Sequence, residues 1–169
     1  MNILEEQKQR LESLYQSFLI DEKILRMKDI SMHRGSNCYE HSFKVAKKAI
    51  KKSLNRKNIN LEVVLLGAIL HDYYLYDWRN DRSKLKRHGK NHPGIAIENA
   101  VNDFNISEEV KKVIKTHMWP INIKDYPNTK EAKIVSISDK AVTIGESFTS
   151  KKYKQKKREK YLSYISHLF

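Results

Sequence analysis

Residues 61–72 read LEVVLLGAILHD, and the reading of this stretch decides the fold. From Val63 to Leu70 every position except Gly67 and Ala68 carries a large apolar side chain. A helix of this kind is apolar all round and belongs in the middle of a core rather than on its surface. A short apolar run also suits a buried strand, but the chain offers no second strand to pair with it. The run ends in His71 and Asp72. An aspartate at a helix C-terminus opposes the helix dipole, and burying a carboxylate beside an imidazole is costly unless something pairs with both. A divalent cation meets that need, because neutral imidazole and carboxylate are both good ligands. The alternative is a His and Asp that merely cap the helix end, where the Asp fits the dipole poorly.

Working outward, the chain has only five Gly and three Pro, which argues for long helices rather than a turn-rich β fold. Ile3, Leu4, Leu11, Leu14, Tyr15, Phe18 and Leu19 line one face of a helix over residues 2–19. Asp21 caps a short helix to Ile30, and Phe43, Val45, Ala46, Ala49 and Ile50 mark an amphipathic helix over Tyr39–Leu54. Tyr73–Asn91 is polar and aromatic and reads as a long loop. Pro93 then occupies the first turn of a helix to Phe104, and Ser107 caps another to His117. Thr129 opens a helix over KEAKIVSISDKAVTIGES, and a basic helix closes the chain over 152–166. The expected fold class is all-α, with residues 1–169 in a single domain. Its central part covers about 33–145, after N-terminal helices in 1–30.

A 40% hydrophobic and 31% charged composition suits a globular protein with a polar surface. The one cysteine, Cys38, excludes an intrachain disulfide, and the charged start MNILEEQKQRLESL lacks the apolar stretch of a secretory leader, so a cytoplasmic location is expected. No apolar run is long enough to span a bilayer, and no membrane partner is expected. The net charge of +13 allows contact with nucleic acid or attraction of small anions. Lysine is scattered over nearly every segment, and the densest run, KKYKQKKREK at 151–160, reads first as a solvated helix face.

Two further groups stand where a carboxylate or imidazole needs an explanation. His41, in YEHSFKVA, lies on the core-facing side of its helix, where a satisfied core histidine is the alternative. Asp139, in KIVSISDKAV, is set among Ile134, Val135, Ile137, Ala141 and Val142 and needs a compensating cation. Lys140 is adjacent in sequence but about 100° away around the helix.

The order H, HD, D, each on its own helix, resembles the HD phosphohydrolase superfamily. EHSFKVA looks like its first-histidine motif, GAILHDYYL like its HD helix and ISDKAV like its final-aspartate helix. The likeness covers roughly 33–145. It implies His41, His71, Asp72 and Asp139 as the core metal ligands, with Asp72 and His71 at the centre of catalysis. His92, before Pro93-Gly94, and His117, in VIKTHMWP, fall where a two-metal subgroup adds one histidine each. By that resemblance they hold a second ion with Asp72 as the bridge; otherwise His92 caps a helix and His117 is a surface residue. Bacterial diadenosine tetraphosphate hydrolases look similar in layout, and the wording from HRGSNCYEHS through LYDW and HGKNHP to THMWP and SDK is similar to small bacterial HD proteins of uncertain activity.

The expected reaction is attack of metal-bound hydroxide on a phosphate ester or anhydride of a small molecule, with a nucleotide or dinucleoside polyphosphate as the expected substrate. Mixed His and carboxylate ligands suit one or two divalent ions, iron or manganese first, with zinc, cobalt, nickel or magnesium also accommodated. His33, His88, Arg34 and Lys140 are candidate substrate contacts, and Arg79 and Arg87 are further cations for phosphate, although ordinary surface charge explains any one of them. His167 is expected to be idle. The rival readings are a diiron oxygenase of the same fold and a non-catalytic basic module for nucleic acid. No Gly-rich phosphate loop, GxSxG, CxxC or HExxH occurs, and Cys38 has no evident base or oxyanion hole beside it.

Overall fold

In a computed structural model the described residues are 3–32, 35–77 and 88–148. The expected basic helix over 152–166 and the middle of the expected loop, 78–87, lie outside them. Helix α1 (Ile3–Ile20) leads into α2 (Glu22–Leu25) and a single 3₁₀ turn, Arg26–Asp29. Then follow α3 (Cys38–Ser53), α4 (Leu61–Leu70), α5 (His88–Phe104), α6 (Glu108–Thr116) and α7 (Lys130–Phe148). The fold is all-α: the only extended pairing among the described residues is an isolated bridge between Ser31 and Asn37. No helix among them is long and apolar enough to cross a membrane.

The helix starts follow local chemistry. Asp21 accepts from the amides of Lys23 and Ile24, and Asn37 accepts from Glu40 at 2.8 Å. Asn60 accepts from Glu62 and Val63, Ser107 from Val110 and Thr129 from Ala132. Each satisfies amides that a helix leaves without an internal partner. At the other end of α5, Asn105 adopts φ 47° and its amide bonds back to Val101, a left-handed stop that asparagine tolerates.

Helix α4 is the axis of the molecule. It packs against α1, α3, α5, α6 and α7, and Val64, Leu65, Ala68, Ile69 and Leu70 are fully buried. Full burial of each large apolar side chain stabilises the fold by roughly 1.5–3 kcal/mol. Gly67 lets α6 come close: a Cβ there would stand 2.9 Å from Val113 Cβ, tighter than real contacts allow. That approach brings the end of α6 beside the end of α4. After α4 the chain turns sharply, with Leu75 at φ 52°, a conformation that costs a branched side chain energy and persists only where surrounding structure holds it.

One expectation needs correction. The loop after Asp72 ends sooner than its composition suggests, because α5 begins at His88 and takes in Gly89, Lys90 and Asn91. Pro93 therefore sits in the second turn rather than the first. Gly89 and Asn91 are weak helix formers, but tertiary contacts carry the added turn: His88 meets Tyr76, and Asn122 donates to the Lys90 carbonyl. The bond that proline forgoes would have ended on Gly89, close to the helix start, where the loss is least felt.

Candidate metal centre

Five helices deliver six ionisable side chains to one point. His41 comes from the first turn of α3, His71 and Asp72 from the end of α4, and His92 from the second turn of α5. His117 caps the C-terminus of α6, and Asp139 lies midway along α7. All six are at least nine-tenths buried, with exposures of 1% for His41, 0% for His71, 6% for Asp72, 3% for His92, 1% for His117 and 9% for Asp139. Burying so much potential charge is unfavourable unless the groups compensate one another or share a cation.

The distances divide the cluster in two. On one side His41 Nε2 is 3.1 Å from Asp139 Oδ1, and His71 Nε2 is 3.8 Å from the same oxygen. On the other, His92 Nε2 and His117 Nε2 are 2.9 Å apart. Asp72 lies between. Its Oδ2 is 3.2 Å from His71 Nε2 and 4.0 Å from His41 Nε2, while its Oδ1 is 3.2 Å from His92 Nε2 and 3.6 Å from His117 Nε2. Ligand atoms of His41, His71 and Asp139 all lie within 4.8 Å of one another, and so do those of His71, Asp72 and His117.

Hydrogen bonding fixes which ring nitrogen faces inward. His71 Nδ1 donates to the Ala68 carbonyl at 2.8 Å, His92 Nδ1 to His88 at 2.9 Å and His117 Nδ1 to Ile114 at 2.7 Å. A carbonyl only accepts, so Nδ1 carries the proton in all three, and in the neutral ring Nε2 turns a lone pair to the centre. His71 Nε2 is buried and makes no directed hydrogen bond. Two facing lone pairs at His92 and His117 repel unless a proton or a metal ion stands between them. This donor set fits a divalent cation: imidazole nitrogens with fixed tautomers beside two carboxylates.

The electrostatics of the metal-free chain agree. Burial lowers the pKa of His41, but Asp139 and Glu146 more than offset this and hold it at about 10. His71 is also raised, chiefly by Asp72 and against its own burial. His117 falls to about 3, through burial first and then the neighbouring His71 and His92. Burial raises Asp72 and Asp139, yet the imidazoles win; Asp72 lies well below the usual carboxylate range and Asp139 at about 2. Without a metal, a proton on His41 supplies positive charge beside the Asp139 and Glu146 carboxylates.

The other candidates are placed as follows. His88 Nδ1 is 2.8 Å from Tyr76 Oη, and its ring stacks on His92 at 4.7 Å. Lys140 Nζ donates to the His117 carbonyl at 2.7 Å and to Ser136 Oγ at 2.8 Å, so its ammonium braces the end of α6 against α7. His33, Arg34, Arg79, Arg87 and His167 lie outside the described residues. Burial pushes the Cys38 thiol up, which makes it a poor nucleophile, and its Sγ donates to the Asp72 carbonyl.

One residue escaped the sequence reading. Glu146, on the last turn of α7, sits 3.1 Å from His41 Nδ1 and 2.6 Å from Lys44 Nζ. A signal was available: it follows Asp139 by seven residues, two helical turns, and so shares its face.

No curated protein and no solved structure matches the chain. The HD domain family model matches residues 38–143, a span that runs from the start of α3 into α7 and contains all six clustered residues. With more than half of its length matched, the chain belongs to the HD domain family, whose members are generally metal-dependent hydrolases.

Proposed function

We propose that the protein is a metal-dependent phosphohydrolase with a two-ion site, acting on a small phosphorylated molecule and within that class on a nucleotide or dinucleoside polyphosphate. His41, His71 and Asp139 would hold one cation and His92 with His117 the other, Asp72 being shared. The observation that carries this reading is the position of Asp72, with one carboxylate oxygen toward each group of histidines. A likeness to the two-metal subgroup rests on the same histidines, His92 and His117. The mixed nitrogen and oxygen donors favour iron or manganese.

When bound, the metals supply Lewis acidity, which activates water for attack on phosphorus and offsets charge on the nonbridging oxygens. The chain's own residues prepare that chemistry. Bonds from Nδ1 to main-chain carbonyls hold three imidazoles in the ligating tautomer. Thr143 Oγ1 donates to Asp139 Oδ1 at 3.3 Å and restrains that carboxylate. Lys140 and Ser136 both hold the His117 carbonyl and so keep the end of α6 in place. His88, half-buried and stacked on His92, would be the neighbouring imidazole that meets a phosphate or leaving group. The +13 net charge favours approach of a polyanion.

The test is metal analysis of the purified protein, then a phosphate-release screen of nucleotides and dinucleoside polyphosphates with iron, manganese, zinc, cobalt, nickel and magnesium. Metal-dependent release that Asp72→Ala abolishes is the expected result. Oxygen uptake without phosphate release would contradict the reading, as would salt-sensitive RNA binding with neither activity.

A further inference from the structure

His41 differs from the other three histidines of the cluster in what stands behind it. His71, His92 and His117 each direct Nδ1 to a carbonyl of their own helix. His41 Nδ1 instead lies 3.1 Å from Glu146 Oε2, which α7 supplies from the far side of the site. Glu146 is only 7% exposed. Its other oxygen is 2.6 Å from Lys44 Nζ, one turn after His41 on α3, and Ser36 Oγ donates to Oε2 at 3.4 Å. A buried carboxylate is costly to keep, and Glu146 is not one of the six clustered groups. Asp139 and Glu146 lie on one face of α7, so a single helix grips the His41 ring at both nitrogens, Nε2 through Asp139 and Nδ1 through Glu146.

We infer that Glu146, anchored by Lys44, is a positioning residue that accepts the His41 Nδ1–H and so holds Nε2 toward the metal position. The inference rests on His41 being a metal ligand. A carboxylate behind a ligating imidazole fixes its tautomer and ring angle, as a carbonyl also does, and in addition makes Nε2 the stronger donor. His41 is thus the most strongly donating imidazole of the set. The Lys44 contact fixes the Glu146 rotamer and keeps its charge compensated within a largely buried setting. The competing account is a simple strut, in which Lys44–Glu146 joins α3 to α7 and His41 is a bystander.

The experiment uses the full-length protein loaded with zinc, which is diamagnetic, and compares wild type with Glu146→Ala, Glu146→Gln and Lys44→Met. Two quantities are read: zinc affinity, by competition with a chromogenic chelator, and the Nδ1 proton of His41, by long-range proton–nitrogen NMR on histidine-labelled protein. Wild type is expected to show a downfield, slowly exchanging Nδ1 proton. Glu146→Ala should lose that slow exchange and bind zinc about 10- to 100-fold more weakly. Glu146→Gln, almost isosteric, should fold even if the alanine variant does not, and should weaken zinc binding in the same direction by less. Lys44→Met is expected to lower affinity less than Glu146→Ala; a strut predicts equal effects of the two. An unchanged His41 proton and zinc affinity within about twofold of wild type in both Glu146 variants would overturn the inference alone. Failure of wild type to bind zinc or any other divalent ion would overturn the metal reading and the inference with it.

Discussion

The Nε2 atoms of His92 and His117 stand 2.9 Å apart, while the Nδ1 of each donates to a main-chain carbonyl one turn back in its own helix. Neither ring can turn away without giving up that bond. On the proposed two-ion reading the pair would close on a cation, and both nitrogens adjoin Asp72 Oδ1. His117→Ala should accordingly remove one metal ion per chain and spare the other. Turnover should fall by about 100-fold or more, the scale of losing a principal source of transition-state charge stabilisation. Elemental analysis beside phosphate-release rates checks this, and a wild-type stoichiometry of one ion per chain would contradict it.

Gly67 sets the spacing of α4 and α6, and through it the distance from His71 to His117, whose rings meet edge to face at 4.9 Å. Gly67→Ala should destabilise the metal-free protein by about 1–3 kcal/mol, because the added methyl meets the stiff, buried Val113 side chain and must force the helices apart. This exceeds the gain in helix propensity of about 1 kcal/mol that replacing glycine brings. Urea unfolding reads the difference, and Val113→Ala in the same chain should recover part of it.

The metal-free protein should also lose stability on the alkaline side. Its His41 has a folded pKa of about 10 against 6.5 in the unfolded chain. Stability from that raised value is fully present below pH 6.5 and disappears as pH rises toward about 10. In the opposite direction, His117 at about 3 resists protonation, so acidification below 6.5 costs stability. Urea midpoints of the metal-free chain should therefore decline from near neutrality toward both extremes. Saturation with metal should flatten the alkaline decline, since a ligated His41 holds no titrating proton on Nε2.

Chelation should lower the thermal midpoint of protein purified with its metal. A ligand that binds only the folded state at 100 times its dissociation constant stabilises by about 2.7 kcal/mol. Adding back manganese or iron should restore the midpoint, whereas the chelator should not shift the midpoint of Asp72→Ala.

Much of this centre is legible in the sequence because its members stand where ordinary roles fit badly. Asp72 opposes a helix dipole, and Asp139 interrupts an apolar helix. His41 and His117 are less conspicuous alone, and the ordered set of motifs is what singles them out. Glu146 went unread for the opposite reason. It follows Gly145 near the end of a helix, in polar company, and its partner Lys44 looks like one of many surface lysines. Only the packing of α3 on α7 buries Glu146 and sets it against the half-buried Lys44. Lys140 was legible as a cation but not as a brace, because its acceptor is a carbonyl on another helix. The start of α5 was missed because Gly89 and Asn91 suggest a loop locally, while the contacts of His88 and Lys90 that hold the extra turn come from distant residues.

The central claim is that Asp72 and the surrounding imidazoles exist to bind metal. Its most direct test is the divalent metal content of purified Asp72→Ala beside wild type, each confirmed folded by circular dichroism. The account predicts bound metal in wild type and its loss from the variant, with turnover lost as well. Full metal content in Asp72→Ala, or a folded wild type that retains none of the ions supplied, would contradict it.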